Sequence, residues 1–291
     1  MGLVNVITSS QNSKIKLVRA LLGRAKERRA AEAFVVEGVR LVEEAVNSNW
    51  GLQFVLYDES LSKRGLRLLR QLEDKKIEVE KVESRILQSL SETESPQGIF
   101  AVLSLTQLPI TDSLNFVLIP DQIRDPGNLG TLLRTAAAAG VQAVLLPPET
   151  TDAFAPKVVR SGMGAHFRLP IHSMAWEEIR EYVSASHLTQ PEKLNQEDSP
   201  PSSEKLHPSG ATHTLQIYLA DMDGKSCWET DLRQPLALII GGEAEGASEE
   251  ARKLATQNIS IPIAGNVESL NAGVAGSILM FEVVRQRKSV G

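Results

Sequence analysis

Ile259-Ser-Ile-Pro-Ile-Ala-Gly-Asn-Val-Glu-Ser-Leu-Asn-Ala-Gly-Val-Ala-Gly-Ser-Ile-Leu-Met-Phe-Glu-Val-Val-Arg285 reads as a short β-branched strand, a loop of small and polar residues, and a long helix. The helix carries Ala272, Gly273, Ala275 and Gly276 where bulk would be expected. Each glycine costs roughly 1 kcal/mol of helix propensity against alanine. Either a tight crossing or a ligand compensates that cost, or the segment is an ordinary buried C-terminal helix. The rest of the chain has to decide between these.

Upstream, Phe116-Val-Leu-Ile-Pro120 is almost wholly apolar, as expected of a strand buried on both faces of a parallel sheet. Ala143 to Leu146, Leu215 to Ala220, Leu236 to Ile240 and Ile259 to Ile263 are similar, with helical stretches between most of them. Earlier in the chain, Gln11 to Ala31 has helical periodicity. It is followed by alternating strands and helices, with strands at Phe34–Glu37, Leu52–Tyr57, Ile77–Val82 and Gly98–Leu103. The expected fold class is α/β, with a small N-terminal α/β sandwich over 1–106 and a linker at 107–114 containing Pro109. A larger domain over 115–291 would have a mainly parallel sheet and crossover helices. A Pro/Ser-rich stretch at 187–213 cannot form a core and reads as a flexible insertion.

Residues 1–291 are 42% hydrophobic and 23% charged, enough for two domains of an ordinary soluble protein. No apolar run reaches the eighteen or so residues of a membrane span, and no signal-peptide core opens the chain. A cytoplasmic location is expected. The single cysteine, Cys227, excludes an internal disulfide. The net charge of −5 hides a basic start, where eight lysines and arginines face three glutamates within the first forty residues. Lys14, Lys16, Arg19, Arg28 and Arg40 are the candidate RNA-binding residues of that stripe, the alternative being a solvated helix face.

Three constellations follow apolar strands and therefore lie at the carboxyl edge of the sheet, where open α/β sheets bind ligands. They are Asp121-Gln-Ile-Arg-Asp-Pro-Gly-Asn-Leu-Gly-Thr-Leu-Leu-Arg134, Gly241-Gly-Glu-Ala-Glu-Gly-Ala-Ser248 and the C-terminal segment. No dinucleotide fingerprint or P-loop string occurs. Glu243, Glu245, Glu249 and Glu250 raise the question of a metal site, but Ser248 reads as an N-cap with acids in the first helical turn. No metal is expected.

Together the three motifs resemble the SpoU (TrmH) family of the SPOUT superfamily, S-adenosylmethionine-dependent RNA methyltransferases acting on ribose 2′-hydroxyls. The N-terminal Ser10-Gln-Asn-Ser-Lys-Ile-Lys16, Phe34-Val-Val-Glu-Gly-Val-Arg40 and Glu94-Ser-Pro-Gln-Gly98 resemble that family's substrate-binding domain, with a ribosomal-protein-like fold. The resemblance implies a deep trefoil knot in the C-terminal domain and a homodimer formed through it. It places S-adenosylmethionine against Gly241, Gly242, Ile261 and Leu270, with glycine needed because a Cβ would intrude on the ligand. Asn128, Arg134, Glu243, Ser269 and Asn271 become the catalytic candidates.

Asn128 and Asn271 would orient loops and substrate, Glu243 would orient partners through charge-assisted hydrogen bonds, and Ser269 would contact RNA or Arg134. Arg134 has two readings. The family assigns it the role of base, whereas an arginine normally stays protonated near neutral pH. It would then bind the target phosphate and stabilise the developing oxyanion while water or phosphate takes the proton. Ribosomal RNA is the expected substrate, with transfer RNA and a non-catalytic RNA-binding role as alternatives.

Overall fold

The computed structural model describes residues 6–111, 113–185, 215–243, 246–265 and 267–288. The stretch expected to be a flexible insertion, 187–213, lies outside the described residues. The N-terminal part runs β1 (Val6–Ile7), α1 (Ser13–Gly23), α2 (Ala25–Ala30), β2 (Ala33–Glu37), α3 (Val39–Asn47), β3 (Leu52–Tyr57), α4 (Lys63–Asp74), β4 (Glu78–Val82), α5 (Ser84–Gln88) and β5 (Ile99–Ser104). Its five-stranded sheet has the order β1-β4-β3-β5-β2. Strand β5 runs antiparallel to both neighbours, so the sheet is mixed.

The helix expected over Gln11 to Ala31 is two helices. Arg24 takes extended backbone angles (φ −129°, ψ 135°), ending α1 and capping the start of α2. Ile15, Val18 and Leu21 of α1 are fully buried against one face of the sheet. On the other face α3 and α4 cover Phe34, Val36, Val55 and Ile99.

The C-terminal part runs β6 (Phe116–Pro120), α6 (Pro126–Ala139), β7 (Ala143–Leu146), α7 (Pro156–Gly162), β8 (Ile171–Ser173), α8 (Trp176–Ala185), β9 (Gln216–Ser226), β10 (Leu236–Ile240), α9 (Glu249–Leu254), β11 (Gln257–Ser260) and α10 (Ala272–Lys288). Its six-stranded sheet has the order β11-β9-β10-β6-β7-β8, and every pairing is parallel. The expected mainly parallel sheet is thus wholly parallel. The central strands β6, β7 and β10 are buried along their whole length, which is why their sequences are continuous apolar runs rather than alternating ones. Ile261 and Ile263, expected to extend the last strand, lie in the loop beyond β11.

The small residues of α10 divide between two tasks. A Cβ on Gly276 would come within 2.3 Å of Leu132 on α6, and the hydroxyls of Ser277 and Thr135 meet at 2.9 Å, so this turn is a close helix crossing. Ala272, Ala275 and Leu279 instead line a cavity. On its other flank α6 is crossed by α7, where a Cβ on Gly130 would lie 2.3 Å from that of Ser161.

The two sheets are joined by a clamp that the basic stripe concealed. Arg28 is only 4% exposed, donates to the Leu21 carbonyl at 2.6 Å, and pairs with Asp152 at 2.6 Å across the junction. Phe34 packs on Phe154 (centroids 5.0 Å apart) and Trp50 on Phe167 (5.4 Å).

Behind this clamp His166 is buried, with Nε2 2.7 Å from the Ala153 carbonyl and Nδ1 without a partner. A neutral ring carrying its proton on Nε2 leaves no buried donor unpaired. Burial pushes the ring's pKa down from 6.5 to about 4. Above pH 6.5 the ring is neutral in both states. Below it the unfolded chain binds a proton that the folded chain excludes, so stability falls as pH drops from 6.5 towards 4, by on the order of 3 kcal/mol in all. Urea denaturation across that window should show this loss, and His166→Gln should flatten the slope. An unchanged slope in the variant would remove His166 as its source.

Candidate functional site

The loops after β6, β10 and β11 leave the same carboxyl edge of the parallel sheet and meet. Asp125 N-caps α6, its Oδ1 accepting from the Asn128 N–H at 2.8 Å, and Pro126 occupies the first helical position. That cap fixes where Asn128 emerges. The Asn128 side-chain amide donates to the Glu243 carboxylate, and the Asn271 side-chain Nδ2 donates to Asn128 Oδ1 at 2.9 Å. One chain of hydrogen bonds therefore links all three sequence motifs.

Beside this junction lies a cavity of 380 Å³, within the usual size of a small-molecule site. Gly241, Gly242, Glu243, Ile261, Ser269 and Leu270 all line it, with Ile240, Ala272, Ala275 and Leu279 as its apolar wall. Among the described residues its charged lining is Asp221, Glu243, Glu268 and Arg252, three acids against one base. Asp221 accepts from Arg252 at 2.9 Å and from the Asp223 N–H at 3.1 Å. These bonds hold its carboxyl below the usual range, the Asp223 N–H having the largest effect.

The glycines answer a packing need within the protein itself. A Cβ on Gly242 would sit 2.4 Å from the Gln122 carbonyl oxygen, and one on Gly241 would sit 2.8 Å from the Ala247 nitrogen. Both collisions are with protein backbone. Glycine at these two positions lets the loops after β6 and β10 pack on each other and on themselves.

Asp121, at the end of β6, was not among the sequence candidates. Its Oδ2 accepts from the Ser248 N–H at 2.6 Å, while Oδ1 is buried without a partner, and burial pushes the carboxyl's pKa up. It pins the far end of the Gly241–Ser248 loop. Ser248 in turn caps α9 by accepting from the Ala251 N–H at 3.2 Å. Glu245 lies outside the described residues.

Arg134 lies on the exposed side of α6, two turns beyond Asn128, with no ion-pair partner among the described residues. It does not line the cavity. Of the basic candidates, Lys16, Arg19 and Arg40 are exposed. Lys14 is held by Glu78 (2.6 Å) and Glu80 (2.9 Å) over the Phe54 ring, and buried Arg28 is committed to the clamp. Arg28 is therefore withdrawn from the RNA-binding set, because a guanidinium sealed between the two sheets cannot reach a phosphate. The Asp–Pro N-cap signal at 125–126 was available in the sequence as a helix start. Nothing local marks Asp121 or Arg28 as buried.

Residues 115–281 match the SpoU rRNA Methylase family, and residues 12–101 match the MRM3-like substrate binding domain. The chain belongs to the SpoU family. It is 30% identical to the 23S rRNA (uridine(2479)-2′-O)-methyltransferase of Streptomyces viridochromogenes, over 97% of this chain and 92% of that one. It is 32% identical to the 23S rRNA (guanosine(2553)-2′-O)-methyltransferase of Bacillus subtilis, over 95% and 98%. The crystal structure of the SpoU methyltransferase AviRb from S. viridochromogenes, in complex with AdoMet, superposes with a TM-score of 0.79 at 30% identity, covering 96% of this chain and 99% of that one.

The loop-on-loop contact of this SpoU chain gives a direct test. Gly242→Ala should weaken AdoMet binding at least tenfold in calorimetry, because the added Cβ meets a carbonyl that cannot move without shifting the β6 loop. Affinity within twofold of the parent, in a protein of unchanged circular dichroism, would show that this packing does not shape the cavity.

Proposed function

We infer that the protein transfers a methyl group from S-adenosylmethionine to a ribose 2′-hydroxyl of ribosomal RNA. The observation that carries this reading is the Asn271–Asn128–Glu243 hydrogen-bond chain at the rim of the 380 Å³ cavity. The cavity fits the cofactor: an apolar wall suits adenine, and a surplus of carboxylates suits a ligand with a sulfonium and an ammonium against one carboxylate. Ile261, Leu270, Gly241 and Gly242 would hold it, largely through backbone groups. When bound, it supplies an electrophilic methyl carbon on sulfur.

The protein's own part is to align the 2′-oxygen and to manage its proton. Asn128 and Asn271 orient the ribose and the loops around it, with Glu243 fixing the Asn128 amide. Ser269, on the cavity lining, faces the RNA side. Arg134 binds the phosphate of the target nucleotide and stabilises the charge developing on the 2′-oxygen, while water or a phosphate oxygen accepts the proton. Its exposure and free guanidinium favour this over the role of base. Relatives that act on ribosomal RNA match along nearly the whole chain, which favours ribosomal over transfer RNA.

The finer architecture belongs to the same reading. Residues 1–106 and 115–291 are taken as separate domains joined at 107–114, each with its own sheet. The trefoil knot is what membership of the SpoU family implies for this domain. A homodimer through this domain is supported by Val274, Ile278 and Phe281, which leave 46%, 37% and 49% of their surface open along one face of α10. The single cysteine and the absence, among the described residues, of a helix long and apolar enough to cross a membrane accord with a cytoplasmic location.

Two outcomes test this. Incubating the protein with labelled S-adenosylmethionine and total RNA, then mapping 2′-O-methyl groups, should find the label in ribosomal RNA. Arg134→Lys should lower the rate more than tenfold with AdoMet affinity unchanged; a rate within tenfold would count against any role needing the planar fork of the guanidinium. For the dimer, Phe281→Asp should halve the mass measured by light scattering, and an unaltered mass would exclude this face.

A further inference from the structure

The geometry points to a second RNA contact, a phosphate seat in the cleft between the two sheets, made jointly by Arg40 at the start of α3 and Arg160 on α7. It rests on the RNA methyltransferase reading and extends it to a place the catalytic motifs do not reach. A cavity of 250 Å³ opens at this junction, lined by Gly38, Arg40, Thr93 and Gln97 from the first part and by Arg160 and Met163 from the second. Arg40 and Gln97 also border a neighbouring cavity of 510 Å³ that contains Ser60 and Ser62, so the recess continues along the surface of the N-terminal part.

The charges here are available. Arg40 is exposed and has no ion-pair partner among the described residues. Arg160 stands 3.5 Å from Glu92 and 3.8 Å from Glu37, longer than the about 2.8 Å of a committed charge-assisted hydrogen bond. Glu37 Oε1 accepts from the hydroxyls of Ser91 (2.5 Å) and Thr93 (3.1 Å), which anchors the carboxylate with Oε2 towards Arg160 at 3.8 Å. It steers Arg160 without saturating it. Guanidinium groups with hydroxyl and amide donors around them are the usual partners of RNA phosphates.

Position decides for an extended polyanion over a small anion. Lys157 precedes Arg160 by three residues on α7, about 5 Å along the helix, and its ammonium lies 3.6 Å from Asp125, the cap that aims Asn128. A row of cations thus leads from the catalytic asparagine to the cleft. A strand whose ribose sits at Asn128 would continue over Lys157 to Arg160 and Arg40. The Arg28–Asp152 clamp keeps the two halves of the seat in fixed register.

The test compares Arg40→Gln, Arg160→Gln and the double variant with the parent, using a 23S rRNA transcript in gel-shift titrations across a salt series. Each single change should weaken RNA binding about tenfold and reduce the slope of log affinity against log salt by about one. The double change should act about a hundredfold, with AdoMet affinity by calorimetry within twofold of the parent. RNA affinity and salt slope both unchanged in the double variant would overturn the seat, even though the parent still methylates RNA. A parent that binds AdoMet yet neither binds nor methylates RNA would instead sink the functional reading on which the seat rests. If Arg160→Gln lowers the melting temperature, Arg160→Lys serves in its place: retained salt slope with weaker binding supports the seat, and parental affinity opposes a guanidinium contact.

Discussion

The hydrogen bond from the Asn271 side-chain Nδ2 to Asn128 Oδ1 joins residues 143 apart in the chain, and the geometry of the whole site follows from it. An exposed bond of this kind contributes only about 1 kcal/mol, so it does not hold the fold together. Its importance is positional. Asn128 is aimed by the Asp125 cap, and α6 behind it packs closely on α7 at Gly130, where a Cβ would meet the Val158 carbonyl, and on α10 at Gly276. The amide chain then transmits that rigid placement to Glu243 and the rim of the cavity.

The same economy governs the walls. Asp121 accepts a hydrogen bond from the Ser248 N–H and tethers the end of the loop that begins at Gly241. Gly242 lets that loop lie directly on the Gln122 carbonyl. Both devices build the cavity wall from backbone. Among the described residues, the charged lining of that cavity carries more acids than bases.

The N-terminal part is more than an appended binding module. Its hydrophobic core takes in Val159 and Phe167 of the C-terminal part, and the Arg28–Asp152 pair seals the junction. Removing one partner of such a pair costs about 3–5 kcal/mol where both are buried, and less here because Asp152 is a quarter exposed. The two sheets are therefore held in fixed register, with Arg40 and Arg160 lining one cavity between them.

The apolar strands of the parallel sheet were legible to the residue at Phe116–Pro120, Ala143–Leu146 and Leu236–Ile240, because a strand buried on both faces leaves no alternative to a continuous apolar run. The loops after β6 and β10 were legible because each follows such a strand, whereas the third follows the edge strand β11, whose sequence Gln257–Ser260 is mostly polar. Short β1 and β8 were not, since two or three residues carry no period. The break at Arg24 was hidden too, because arginine suits a helix and only its backbone angles end α1. What the sequence by itself determined was the α/β class, the edge of the sheet that bears the site, and the residues that gather there. Tertiary structure alone decided what those residues meet. Charge and glycine are local facts, whereas burial and collision depend on neighbours more than a hundred positions away. Arg28 became a buried strut through Asp152, and Gly242 proved to be glycine because of the Gln122 carbonyl.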